Sequence, residues 1–148
     1  MTNDELRRSD VDEACELLQD DPAAYRGFLG LDPIVQNASW MSRRLTQARA
    51  SVYSCAGQLL GVAPAQQLSD YAQVSMSEAA GAHLPAFLEL AEQRYGYRNF
   101  ITFLDADESP DAFVRSGFQR CGTMRAHHLR DGVQHDVTVY VRIPEEAS

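Results

Sequence analysis

Ser109-Pro110-Asp111-Ala112-Phe113-Val114-Arg115-Ser116-Gly117-Phe118 runs into Cys121-Gly122, a basic segment, and then Asp131-Gly132-Val133-Gln134-His135-Asp136. Ser109 can cap a short helix with Pro110 at its first position, where the missing N–H is no loss, and Gly117 can end it. Asp131-Gly132 favours a two-residue type I′ turn, so 118–129 and 133–143 are predicted as a terminal hairpin. In that register His127 faces Asp136 and His128 faces His135. Arg125, His127, Asp136, Thr138 and Tyr140 then share a polar face, while Val133, Val137, Val139, Val141 and Ile143 share the other with His135.

Working upstream, 97–104 is nearly continuous in apolar and aromatic residues, the signature of an interior strand. Before it, Leu84, Phe87, Leu88, Ala91 and Tyr95 lie on one face of a helix over 84–95, with Pro85 in its first turn and Gly96 at its exit. Residues 71–78 read as a strand, and 51–63 as a hairpin turning near Ala56-Gly57-Gln58. Ile34, Ala38, Met41, Leu45 and Ala48 predict a helix over 34–48. The segment 20–33 is a loop or broken helix holding Tyr25, Arg26 and Phe28. Ser9 precedes a first helix whose buried stripe is Val11, Ala14, Cys15 and Leu18, and 5–8 is a candidate opening strand.

At 148 residues the chain is expected to form one domain, 1–148, with enough core to fold without a metal or disulfide staple. Cys15, Cys55 and Cys121 are too scattered for a disulfide framework or a structural zinc site. The opening residues are polar and acidic, and no apolar run reaches the roughly 18 residues of a membrane span, so a cytoplasmic location off the membrane is expected. The net charge of -8 argues against nucleic acid as a partner. All cations are arginine, which excludes lysine Schiff-base chemistry, and this usage with abundant alanine hints at a GC-rich bacterial source. Arg115, Arg120, Arg125 and Arg130 crowd the C-terminal third, where an acidic partner would meet the chain. Oligomeric state stays open, a homodimer included.

This order of elements, with its short helix ending in Gly117-Phe118 and its terminal hairpin, resembles the GCN5-related N-acetyltransferase (GNAT) superfamily from about residue 6 to 143. The specific part of the resemblance begins near Ala79. It implies an α/β (α+β) domain with a central, mainly antiparallel mixed sheet flanked by helices. That sheet is splayed between the strands before and after the central helix, here 71–78 and 97–104, and the pantetheine arm of a thioester donor lies in the opening. The implied reaction moves an acyl group from acyl-CoA, or from carrier-protein phosphopantetheine, to an amine of a small molecule. Val74, Ser75, Gly81 and Ala82 are the residues it places at the cofactor.

The chain departs from the family at specific positions. The coenzyme A loop usually reads Gln/Arg-x-x-Gly-x-Gly/Ala, so that main-chain N–H groups hold the diphosphate. Here Ala79 stands at its first position, and Ala82 and Leu84 at the two small-residue positions. The family's Asn falls near Ala106, and its acid Tyr falls at Phe113, which has no proton to give. Weak coenzyme A binding is therefore expected. The Arg-rich C-terminal third makes an acidic acyl carrier protein a candidate donor.

His127 held by Asp136 is the foremost candidate for the proton acceptor, against the alternative of a cross-strand ion pair on a solvated face. Glu78 is the reserve candidate, with an exposed strand-end carboxylate as its alternative. Tyr25, Arg26, Arg125 and Tyr140 are candidate substrate contacts; Trp40 either joins them or packs in the core. Ser75 and Ser77 are candidate polar contacts, and Cys121 a candidate nucleophile against buried packing. Two imidazoles at His128 and His135 make a metal site conceivable, but no third ligand is evident and no metal is expected. The competing reading is a GNAT-like fold repurposed as a binding subunit or for another small-molecule reaction.

Overall fold

A computed structural model describes residues 6–22, 25, 28–31, 33–34, 36–65, 70–105, 108–130 and 133–143, without the side chains of 78, 126–130 and 135. Its elements are β1 (Arg7–Ser9), α1 (Val11–Asp20), α2 (Ala38–Gln47), β2 (Ser51–Cys55), β3 (Gln58–Pro64), β4 (Tyr71–Met76), α3 (Leu84–Tyr95), β5 (Asn99–Asp105), α4 (Asp111–Arg115), β6 (Gln119–Arg130) and β7 (Val133–Arg142). The strands form one sheet in the order β1-β2-β3-β4-β5-β7-β6. Every described pairing is antiparallel except β4 with β5. No helix among the described residues is long and apolar enough to cross a membrane.

Both faces of the sheet are covered, which is why β3 reads Leu59-Leu60-Gly61-Val62-Ala63 with no polar alternation. Leu59 and Val52 pack with Ala14, Cys15 and Leu18 of α1 and Met41 and Leu45 of α2. Leu60, Val62, Val74 and Phe100 pack on the opposite face with Leu84, Phe87, Leu88 and Ala91 of α3 and Phe113 of α4. Each fully buried Leu or Phe of this kind contributes roughly 1.5–3 kcal/mol.

Helix α3 forms at the expected residues, with proline in its first turn and Gly96 as its C-cap. Three expected boundaries are corrected. The N-cap of α1 is Asp10, whose carboxylate accepts the Asp12 N–H at 2.9 Å, while Ser9 belongs to β1 and pairs with Val52. Helix α2 starts at Ala38, not Ile34, because Asn37 Oδ1 caps the Trp40 N–H at 2.8 Å; Ile34 is 48% exposed. The strand expected over 71–78 ends at Met76, and Glu78–His83 winds into 3-10 turns that feed α3.

The hairpin is a partial match. Arg130↔Val133, Leu129↔Gln134 and His128↔His135 keep the expected register, and the turn residues Asp131-Gly132 lie outside the described residues. The register then slips between Met124 and His128, so 125–127 lie opposite Asp136 alone, and slips again around Cys121. The first irregularity breaks the one-to-one pairing on which His127 facing Asp136 was based.

Candidate functional site

The opening forms where β4 and β5 stop pairing. Their parallel ladder covers Tyr71↔Asn99, Ala72↔Phe100 and Gln73↔Ile101, and neither Val74–Met76 nor Thr102–Asp105 continues it. At the fork Thr102 Oγ1 donates to the Val74 carbonyl at 2.8 Å, so a buried hydroxyl replaces the next main-chain rung. Main-chain direction alternates along a strand, so Met76 turns its N–H and C=O to the same side as Val74. Ser77 Oγ donates to Gln58 Oε1 at 2.6 Å and holds the end of β4 against the start of β3. A slot edged by a strand with unpaired main-chain groups can take an extended, amide-bearing ligand by β-type hydrogen bonds. The Val74 side chain faces the α3 core and its carbonyl is taken by Thr102, so the edge that faces the slot begins beyond it, at Met76.

The turn between β4 and α3 is wound tight. Ala80 N–H donates to Ser77 O at 3.0 Å, and the Leu84 N–H to Gly81 O, so these donors are spent inside the turn. A Cβ at Gly81 would stand 2.9 Å from Ala112 Cβ; its smallness lets α4 approach the turn. Ala82 is exposed beside it, and the Glu78 side chain is outside the described residues. Phe113 is buried and stacks edge-on against Phe118 at 5.2 Å, a core aromatic where an acid tyrosine would stand.

The hairpin projects past the end of β5, because the last β5–β7 pair is Asp105↔Val137 and Asp136 lies one residue beyond it. Asp136 and Arg125 are exposed at the slip in register, and the His127 side chain is outside the described residues. Tyr140 packs against the α3-side core. Cys121 is exposed, against the expectation of a buried thiol. Trp40 is 41% exposed, under the Arg44 guanidinium at 5.5 Å, and is not a core residue. Tyr25 is buried, with its hydroxyl accepting the Leu59 N–H at 3.1 Å, and Arg26 lies outside the described residues. Ser75 Oγ accepts the Leu29 N–H at 2.9 Å. No cluster of three metal-ligating side chains occurs among the described residues.

No protein-family profile matches the sequence, and no curated protein matches it. Solved structures do. A RimL ribosomal L7/L12 alpha-N-protein acetyltransferase in complex with coenzyme A superimposes with TM-score 0.70 and 20% identity, covering 96% of this chain and 95% of that one. A ribosomal-protein-alanine N-acetyltransferase from Brucella melitensis gives TM-score 0.71 and 15% identity over 95% and 99% of the two chains. A chimera of the Vibrio cholerae spermidine N-acetyltransferase SpeG and hSSAT gives 0.70 and 9% over 96% of each. The chain has the GNAT acetyltransferase fold.

Within this GNAT fold several residues at the opening escaped the sequence reading. Thr102 carried a signal, a lone hydroxyl in the apolar run Phe100-Ile101-Thr102-Phe103-Leu104, which needs a partner when buried. Asp105 is buried at the end of β5, where its N–H donates to Glu108 Oε1 at 2.9 Å and its carbonyl accepts the Glu108 N–H at 3.0 Å. On the α3 face of β2, the Tyr53 and Tyr95 hydroxyls lie 2.8 Å apart with Arg94 on the first and Arg8 on the second. Burial and the Tyr95 hydrogen bond push the Tyr53 phenol up. Burial raises Tyr95 too, but hydrogen bonds from Ser51 and Tyr53 and the two guanidiniums outweigh it and bring that phenol down.

Proposed function

We infer that this chain is an N-acyltransferase that moves an acyl group from a pantetheine thioester to an amine by direct attack. The observation that carries this reading is the fork after Gln73↔Ile101, where Thr102 caps Val74 and the end of β4 is left as an edge for the donor's amides. The acetyltransferase structures that share this fold support it. The amine nitrogen attacks the thioester carbon, the C–S bond breaks, and the sulfur leaves as thiolate, which takes a proton from water to end as the free thiol. The proton lost by the amine goes to a side chain at the open end of the sheet. His127, oriented by Asp136, is the proposed acceptor and Glu78 the alternative, with Gly81 and Ala82 flanking the donor's far end. Arg125 is proposed to meet the substrate at the hairpin.

The test is thiol release from acetyl-CoA with a panel of small amines. His127→Ala is expected to lower turnover by about a hundredfold, the usual weight of a positioned base, with little change in melting temperature. Unchanged turnover in that variant together with loss in Glu78→Gln would move the role to Glu78. Two observations favour a binding subunit as the second reading: Phe113 in the core, and Ala112 filling the space beside Gly81. A thermal shift with acyl-CoA but no thiol release with any amine would decide for it.

A further inference from the structure

Tyr25, Phe28 and Leu29 carry three attachments to the sheet. Tyr25 reaches the Leu59 N–H, and the ring of Phe28 lies over Gly61 so closely that a Cβ there would meet Phe28 Cζ at 2.7 Å and Leu29 Cδ1 at 2.8 Å. Leu29 itself sits at φ 47, ψ 36, the left-handed region that side chains with a Cβ disfavour, and its N–H donates to Ser75 Oγ at 2.9 Å. Main-chain strain of this kind persists only where the surroundings over-determine it. Here the surroundings are a missing side chain at 61 and a hydroxyl at 75.

Ser75 sits on β4 two residues past the last rung shared with β5. Its neighbours Val74 and Met76 turn their main-chain groups toward the opening, while its own side chain points to the face that holds α1 and α2. Behind the opening, the α3 and α4 face is filled by Val74, Leu84, Phe87, Phe100, Leu104 and Phe113. On the other face Leu29 lies over Gly61 and Ser75, and that is the side from which an amine would have to reach a thioester in the slot if it does not pass the α3 core. One residue joins the strand that would hold the donor to the segment over which the acceptor passes.

We propose that Ser75 is a positioning residue for the amine: its hydroxyl latches Leu29 in the left-handed conformation and so sets the floor over which the acceptor reaches the thioester. The latch rests on the acyltransferase reading of the slot, and it acts on one substrate only. The resemblance places Ser75 at the cofactor, but its hydroxyl is engaged by the Leu29 N–H on the α1–α2 face, so its loss is expected to act on the amine and to leave KM for the donor nearly unchanged.

The test compares wild type with Ser75→Ala and Ser75→Thr, using acetyl-CoA and the amine that wild type turns over best, together with NMR hydrogen exchange at the Leu29 amide. Ser75→Ala is expected to raise KM for the amine about tenfold, the equivalent of one ordinary net hydrogen bond, and to speed Leu29 exchange by a similar factor. KM for acetyl-CoA stays within about twofold, and Ser75→Thr restores both readouts. An unchanged amine KM, a matching rise in the acetyl-CoA KM, or unchanged Leu29 exchange overturns the latch. If Ser75→Ala does not fold, Gly61→Ala, at the residue paired with Ser75 in the β3–β4 ladder, pushes on Phe28 and Leu29 while keeping the Ser75 hydroxyl and is expected to give the same amine-only rise; an unchanged amine KM there overturns the proposal. If wild type itself transfers no acyl group, the acyltransferase reading fails, and Leu29 exchange alone decides the latch.

Discussion

Cys15 packs between α1 and α2 at 1% exposure, and burial first, with the Asp12 carboxylate second, pushes its thiol up from 9.0 to about 11. A folded chain that keeps this proton longer than the unfolded chain is at full stability below about pH 9 and loses it as pH rises toward 11. The shift corresponds to roughly 2–3 kcal/mol. Urea midpoints measured from pH 8.5 to 11 are expected to fall, and to fall less steeply in Cys15→Ala. At pH 8 a thiol reagent should label exposed Cys121 well before Cys15 or Cys55, both buried. Gly61 is the other residue where one substitution speaks clearly. Gly61→Ala drives a methyl into Phe28 and Leu29, and overpacking of this kind costs about 1–3 kcal/mol, seen as a lower melting temperature.

Among the elements, α3 was legible because every signal agreed: an apolar face, proline at the start and glycine at the exit. Helix α2 was misread at one end, since Ile34 fits the apolar period while Asn37 holds the capping bond, and a local hydrogen bond outranks an exposed apolar side chain. Asn37→Ala should therefore cost about 1 kcal/mol of stability, measured by denaturant titration, which a cap at residue 33 or 34 would not allow. The hairpin register was legible for three pairs beside its turn and then lost, because bulges add residues to one strand with no mark in the sequence pattern. The fork was placed between the right strands, but the reason it holds its shape is the Thr102–Val74 bond. Thr102→Val keeps the volume and leaves a carbonyl without that donor, at an expected cost of about 1–2 kcal/mol in the same titration.

At the scale of the molecule, the donor is the open chemical question. The turn before α3 spends the Ala80 and Leu84 N–H groups on itself and Ala112 lies beside Gly81, so the diphosphate of coenzyme A is expected to gain little there. Acetyl-CoA and acetyl-pantetheine are expected to give kcat/KM values within about tenfold of each other. A preference for acetyl-CoA of a hundredfold or more would show that the turn, as wound here, still holds the diphosphate. The sequence by itself determined where along the chain most helices and strands lie, the absence of a tyrosine at 113 and the apolar runs that need cover on both faces, because these depend on residues close together in the chain, whereas the order of the strands in the sheet does not. Only the tertiary structure decided which hydroxyls and glycines matter at the site. Thr102 meets Val74 across 28 residues, Leu29 meets Ser75 across 46, and Gly81 meets Ala112 of α4. Such pairs leave no periodic trace, since either partner alone is an ordinary serine, threonine or glycine until packing brings the other within hydrogen-bond or van der Waals distance.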